Sequence, residues 1–450
     1  MQPQTRRADQ AIDVGLLLDL SPWSAYQKAL TLLAALAVIF DGFDIQILGF
    51  AIPSIMREWH VTRAAFAPIA ALGLVGMAAG SPFAGYCGDR FGRRVTLIGC
   101  VFVFGAATIA TAFCHGLAEL GILRAIAGAG AGGALPNASA LTAEFAPLRR
   151  RAMAVTLTIV CVPLGGMIAG LAAARVLPAM GWHALYMIGG GAPLLFALLL
   201  FLALPESPRY LARHANRHGQ LVRSLIRMGH PVAPGSTFEA GPEPRIGQAG
   251  AVRELFGIAL RRDTLGLWLA FFASLNGVYL VFGWLPAMLS AQGLDLATAS
   301  SGLAAYNFGG VLGVLICAFI VTAVGSRGPL LWAAFGGSAS ALALVFVPLT
   351  PTGGHALLIA GIGLHGLFVN AVQTTMYALA SHVYPTRVRA TGIACAGAAG
   401  RCGGILSSLA GAAIIQAGSG AYLALLALSM GVTFAGLAIV RNHYPGRRAP

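Results

Sequence analysis

Gly85-Tyr86-Cys87-Gly88-Asp89-Arg90-Phe91-Gly92-Arg93-Arg94 lies between two long apolar stretches, at about 64–86 and 95–114. Its glycines permit a tight turn between two helices. Its acid can meet arginines, or the positive N-terminus of a neighbouring helix. Its arginines mark a loop on the inner side of a membrane, where Lys and Arg concentrate. A loop that only followed this charge rule would need neither Asp89 nor the glycine spacing. A latch between helices is the reading that uses them all.

The surroundings of this loop are built for lipid. Of 450 residues 57% are apolar and 10% charged, against about 25% charged in soluble domains; mean hydropathy is +0.78. Hydropathy places twelve spans at 26–55, 64–86, 95–114, 118–143, 152–176, 184–204, 264–290, 300–324, 329–349, 356–381, 391–416 and 420–440. Each is close to the ~20 residues that carry a helix across ~30 Å of hydrocarbon. The basic residues then fall on alternate loops, with only Arg57, Arg63 and Arg175 on the outer side. The net charge of +14 therefore reports topology and attraction to anionic lipid, not nucleic-acid binding. Cysteines show no C-x-x-C pair or metal spacing; all but Cys87 sit in apolar spans and read as small core residues. No removable signal peptide is expected.

One long polar stretch divides the chain. The expected organisation is a cytoplasmic segment 1–25, a six-helix bundle 26–204, a cytoplasmic linker 205–263, a second bundle 264–440 and a cytoplasmic tail 441–450. Within the linker, 209–227 predicts a short basic helix on the membrane surface and 229–250, rich in Gly and Pro, an irregular stretch. Glu144, Pro147, Arg149, Arg151 and Ala152 follow the fourth span; Pro385, Arg387, Arg389 and Ala390 follow the tenth at the same spacing. Such duplicated halves suit alternating access about a central site.

Charges inside the spans are the next signal, since each costs roughly 2.5–3.5 kcal/mol at mid-membrane. Asp41 and Asp44 share one face of the first span, Arg124 lies in the fourth and Arg401 in the eleventh. At 1.5 Å per residue they sit about 22, 27, 30 and 15 Å from the cytoplasmic ends of their helices. Acids and bases at comparable depth predict pairing across a central cavity. A carboxylate that exchanges an arginine for a proton couples transport to a proton gradient, and arginine suits a substrate carboxylate. A fixed ion pair locking helices is the competing reading. Glu144, beside Arg149, Arg150 and Arg151, reads as part of an inner gate.

The opening loop resembles the G-x3-D-R-x-G-R-R signature of the major facilitator superfamily. That resemblance implies an all-α membrane fold, twelve spans in two pseudo-symmetric six-helix halves, both termini cytoplasmic. Gly85, Asp89, Arg90, Gly92 and Arg93, with Glu144, Arg149, Arg151, Arg387 and Arg389, would form the cytoplasmic gate. Gly325-Ser326-Arg327-Gly328 is a decayed counterpart without the acid. Asp41-Gly42-Phe43-Asp44, with Gly132-Gly133-Ala134-Leu135-Pro136-Asn137, Trp284-Leu285-Pro286 and Gly400-Arg401-Cys402-Gly403, resembles the bacterial aromatic acid:proton symporters over residues 12–440. The resemblance implies inner-membrane uptake of a benzoate- or hydroxybenzoate-like anion with protons, and roles in coupling for Asp41 and Asp44. Arg124 and Arg401 become the candidates for the substrate carboxylate.

A flat carboxylated ring wants a cation, aromatic walls and a few polar partners. Phe43, Asn276, Tyr279, Trp284, Tyr306, Asn307, His365, Asn370, Gln373 and Tyr377 are the candidates, each also readable as packing. For His365 a helix–helix hydrogen bond is the alternative. Pro205-Glu206-Ser207-Pro208-Arg209-Tyr210 resembles a motif ending the sixth helix of sugar porters and their relatives, and sets Glu206 beside Arg209. The fifth span lacks the G-P-x-x-G-G ending of drug antiporters. No H-E-x-x-H, G-x-S-x-G or phosphate loop is present, so an enzyme is not expected. Cofactors and metals are not expected either. The expected partners are a small aromatic acid, protons and the bilayer, with the chain a monomer. A symporter of another organic anion, or a ligand sensor, is the alternative.

Overall fold

A computed structural model describes residues 11–232, 236–239, 248–348, 355–385 and 388–446. The helices are α1 Val14–Leu20, α2 Ala25–Trp59, α3 Ala67–Phe91, α4 Arg93–Thr111, α5 Leu117–Phe145, α6 Leu148–Ala203, α7 Pro208–Ala212, α8 His218–Arg227 and α9 Gln248–Leu255. They continue with α10 Arg261–Ala291, α11 Leu296–Val324, α12 Arg327–Val345, α13 Ala356–Val383, α14 Arg389–Gln416 and α15 Ser419–Ile439. Among the described residues ten helices are long and apolar enough to cross a membrane. The 29-residue α5 is not one of them, because its many glycines, Arg124 and Asn137 lower its hydropathy. Its length, about 44 Å, would still span.

The spans read at 152–176 and 184–204 are not separated by a loop. They run on as the 56-residue α6, interrupted at one non-helical residue, Gly181 (φ +76°). A straight helix that long would reach about 84 Å. The break supplies the turn, and glycine adopts that φ at little cost.

α3 packs on α5 and α2 on α6; in the second half α11 packs on α13 and α10 on α14. The same partners, second with fourth and first with fifth, thus recur in each half. The halves meet along α2–α10, α3–α14 and α6–α11.

Small residues let α3 and α5 approach closely, the usual device for helices in lipid. A Cβ on Gly128 would sit 2.0 Å from the Gly73 carbonyl oxygen, and one on Gly80 2.0 Å from that of Ala129. Gly128→Val is therefore expected to destabilise by about 3 kcal/mol or more and to abolish the monodisperse size-exclusion peak in mild detergent. Gly99→Ala, where a Cβ meets nothing within 4 Å, should behave as wild type; equal behaviour of the two variants would refute this packing.

The polar segments are more ordered than their composition predicts. The N-terminal segment holds α1, capped by Asp13, which accepts the Leu16 N–H at 3.0 Å. Strand β1, Ile12–Asp13, pairs in parallel with β2, Phe238–Glu239, so part of the linker read as irregular is a strand. Its partner comes from a distant segment, which Gly/Pro content does not reveal. The expected basic helix at 209–227 appears as α7 and α8, with Leu221 and Leu225 buried. At the other end the tail is stapled down. Ser326 N–H donates to the Tyr444 carbonyl at 3.0 Å, and Asp263 accepts the Arg441 N–H at 2.7 Å. Cys402 is exposed, unlike the core residue expected there, because its place on α14 turns away from neighbouring helices.

Candidate functional site

Asp41 and Asp44 lie one turn apart on α2, both buried, at 2% and 0% exposure. Their surroundings differ. Asp44 accepts from Arg124 of α5 at 3.3 Å (Nη1) and 3.2 Å (Nη2), while Nη2 also donates to the Asp44 carbonyl at 3.1 Å. The Thr108 hydroxyl of α4 donates to the same carboxylate. This is a buried, hydrogen-bonded ion pair within the first half. It borders a cleft with ≈ 500 Å³ of empty space, which reaches Tyr279 and Phe282 of the second half.

Among the described residues Asp41 has no such partner: its Oδ1 is buried without a hydrogen bond. Arg401, on α14, is near enough to act on Asp41 electrostatically, and likewise on Tyr279 and Tyr377. Arg401 is only half-buried. Among the described residues it makes no hydrogen bond and no ion pair within 4.0 Å. The site thus sets one saturated pair beside one acid and one base that remain uncommitted. Two tyrosines stand around the second set. Tyr279 donates to the Met77 sulfur at 3.4 Å, across the halves. Tyr377 is edge-on to Phe271 at 4.9 Å.

The other ring-pocket candidates are engaged in packing or hydrogen bonds within the protein. Phe43 packs against Gly189 and Trp284 against Gly411. Asn276 donates to the Gly403 carbonyl at 3.0 Å and accepts from Ser429 at 3.1 Å. Asn370 bonds back to the Gly366 carbonyl at 3.0 Å, and Gln373 accepts from Ser274 at 2.7 Å. Tyr306 and His365 line an apolar cavity inside the second half. His365 Nδ1 lies 3.1 Å from both Ser340 Oγ and the Gly337 oxygen, a link between α12 and α13. Asn307 exchanges two amide hydrogen bonds with Gln46, at 2.7 and 3.0 Å. This pair joins α2 to α11 across the halves. Gln46 belongs to no motif, although an amide in an apolar span beside two acids is a readable signal.

The halves touch toward the ends of their helices opposite the arginine-rich loops. A Cβ on Gly49 would meet the Phe282 carbonyl oxygen at 2.1 Å, and one on Gly170 the Ala304 Cβ at 2.7 Å.

On the arginine-rich side Asp89 pairs with Arg93 of its own loop at 2.6 Å, and is 66% exposed. Exposed pairs of this kind contribute little. The buried acid at the α4 N-terminus is Glu206, which accepts the Arg94 N–H at 3.0 Å and the Ser207 N–H at 2.9 Å. Arg209, expected beside Glu206, instead reaches Asp19 of α1 at 3.5 Å. Arg151 also pairs with Asp19 and donates to the Ala143 carbonyl at 2.8 Å. Glu144 takes the Ser207 hydroxyl rather than an arginine of 149–151. Arg90 donates to the Tyr86 hydroxyl at 2.7 Å, and Arg389 to the Tyr384 carbonyl at 3.2 Å. Gly85 has open space around it, Gly92 turns with φ +109°, and Arg149 is exposed. Arg387 lies outside the described residues. Asp19 sits in a polar segment with no motif, so nothing local marks it.

The chain belongs to the Major Facilitator Superfamily, whose family model matches residues 34–364. Along nearly its full length it is 34% identical to the gallate transporter of Pseudomonas putida, covering 98% of this chain and 97% of that protein. It is also 34% identical to the 4-hydroxybenzoate transporter PcaK of Pseudomonas putida, covering 91% of each. Among solved structures, a partially occluded inward-open conformation of the xylose transporter XylE from E. coli superposes with TM-score 0.71. It is 19% identical, over 92% of this chain and 97% of that one, and speaks for the fold alone.

Proposed function

We propose that this protein imports an aromatic carboxylate, of the benzoate or hydroxybenzoate class, together with protons across a bacterial inner membrane. It does so as a monomer with twelve crossings, in two six-helix halves at 26–204 and 264–440, both termini in the cytoplasm. The full-length relatives named for gallate and 4-hydroxybenzoate support the substrate class. The observation that carries the mechanism is the division of labour among four charges.

Arg124 is held by Asp44 and does not need the substrate. Arg401 is free to take the substrate carboxylate in a bidentate grip, with the ring between Tyr279 and Tyr377. Asp41, buried beside Arg401 without a partner, is the group for the proton: its charge is costly when Arg401 turns to the substrate, and a proton cancels that charge. The halves are closed on the outer side, at Gly49–Phe282 and Gly170–Ala304, and Gln46–Asn307 ties them there. An uncharged amide pair is strong enough to favour this state and weak enough to part once per cycle.

The test is uptake of labelled 4-hydroxybenzoate into proteoliposomes under an inward proton gradient, with and without an uncoupler. Benzoate, gentisate, succinate and glucose serve as competitors. Wild type should accumulate the acid only with the gradient and be inhibited by aromatic acids alone. Asp41→Asn loses no hydrogen-bonded partner, so it should fold normally and exchange substrate downhill, yet show at least a tenfold loss of gradient-driven accumulation. Competition by succinate or glucose alone would overturn the substrate class; unchanged accumulation by Asp41→Asn would overturn its role.

A further inference from the structure

The face opposite the arginine-rich loops has few cations, and two of them share one cavity. Arg57, at the end of α2, and Arg63, in the 3-10 turn Arg63–Phe66, line a space of ≈ 760 Å³ with the end of α10 and the start of α11. The cavity therefore lies between the two halves.

Its polar groups are left wanting. Among the described residues, Arg63 Nε and Ser290 Oγ are both buried with no hydrogen-bond partner, a costly condition for such donors. Arg57, among the described residues, uses only its Nε, on the Pro53 carbonyl at 3.3 Å. Asp295 also lines the space, but its carboxylate caps α11, accepting the Thr298 N–H at 3.3 Å. The Thr298 side chain first, and the backbone cap with it, hold its carboxyl pKa below the usual value. Among the described residues it makes no ion pair within 4.0 Å with either arginine. The neighbouring Glu58 is engaged by Trp182 Nε1 at 2.8 Å. Two guanidinium groups against one committed acid leave a net positive site. Its remaining walls are apolar, among them Met56, Leu294 and Leu296.

The geometry points to an outer capture site for the carboxylated ring, with Arg63, Arg57 and Ser290 on the carboxylate and the apolar wall on the ring. This rests on the reading of the chain as an aromatic-acid importer. The site gathers the anion at the entrance, where a focused positive field raises encounter rates, and hands it to Arg401 when the halves part.

Two arms test it. In right-side-out proteoliposomes, Arg63→Gln and Arg57→Gln should each raise the KM for 4-hydroxybenzoate about tenfold at low ionic strength, with kcat within twofold of wild type. The difference should shrink in high salt. In the second arm, benzoate binding is titrated calorimetrically on full-length Arg401→Gln, whose central site is disabled. Saturable binding there, lost in Arg401→Gln/Arg63→Gln and not matched by inorganic phosphate, supports the outer site. Unchanged KM in both single variants, or binding indifferent to Arg63, overturns it. Equal binding of phosphate overturns its selectivity for a ring. If wild type carries no aromatic acid, the proposed function fails, and the binding arm still decides the outer site.

Discussion

Arg401→Gln should reduce kcat/KM for aromatic-acid uptake by at least about 100-fold, while thermal stability in detergent stays within a few degrees of wild type. The side chain is half-buried at the meeting of the halves and, among the described residues, gives no hydrogen bond or ion pair, so removing it orphans none of them. On the proposed mechanism, what disappears is a charge-assisted, two-pronged contact to the substrate, whose loss costs about 1.5–3 kcal/mol per hydrogen bond and compounds for two. Arg401→Lys keeps the charge and loses the fork; it should recover only a small part of the rate. Substrate counterflow, which needs no gradient, is the cleanest readout. Wild-type counterflow by Arg401→Gln would remove Arg401 from the binding site.

Asp44→Asn should fail differently, by unfolding. It strips the charge from a carboxylate that holds Arg124 through two guanidinium contacts and accepts from Thr108, in a place with 0% exposure. Leaving a buried guanidinium without its counter-charge costs about 3–5 kcal/mol. Removing both charges together, as in Asp44→Asn/Arg124→Gln, should restore most of the stability. The double variant then separates two roles that one substitution confounds. We expect it to fold, bind benzoate and transport poorly, because the pair borders the cleft between the halves and, on the proposed mechanism, fixes the field in which Asp41 would exchange its proton. A double variant with wild-type uptake would reduce the pair to a structural pin. A single variant as stable as wild type would contradict the geometry of the pair.

Much of this fold was open to reading because lipid imposes a coarse rule: a span must be apolar for about 20 residues. That rule marks α2, α3, α4 and α10 to α15 and their alternating basic loops. It did not show that the fifth and sixth spans join at one glycine, since φ at Gly181 leaves no trace in hydropathy. The site was legible as a set of costly charges, but their pairing was not. Asp44 finds Arg124 eighty residues away, and nothing in local spacing favours that match over Asp41 with Arg124 or Asp44 with Arg401. The aromatic candidates were too many for the same reason. Only contact tells Tyr279 and Tyr377, beside Arg401, from Trp284 and Tyr306, sealed inside the second half. The inner gate shifted furthest. Its motif pointed to Asp89, yet the buried acid on the α4 terminus is Glu206 and the clasp on Arg151 is Asp19.

The tail staple has a practical side. Residues 441–446 close the turn between α11 and α12 through Ser326 and anchor the start of α10 through Asp263. They belong to the folded body even though they follow the final span. A fluorescent reporter or affinity handle joined directly after Ile439 would displace them and loosen two helix starts at once. One carried on a flexible spacer beyond Gly446 leaves them seated, and is the safer design for purification and single-molecule work.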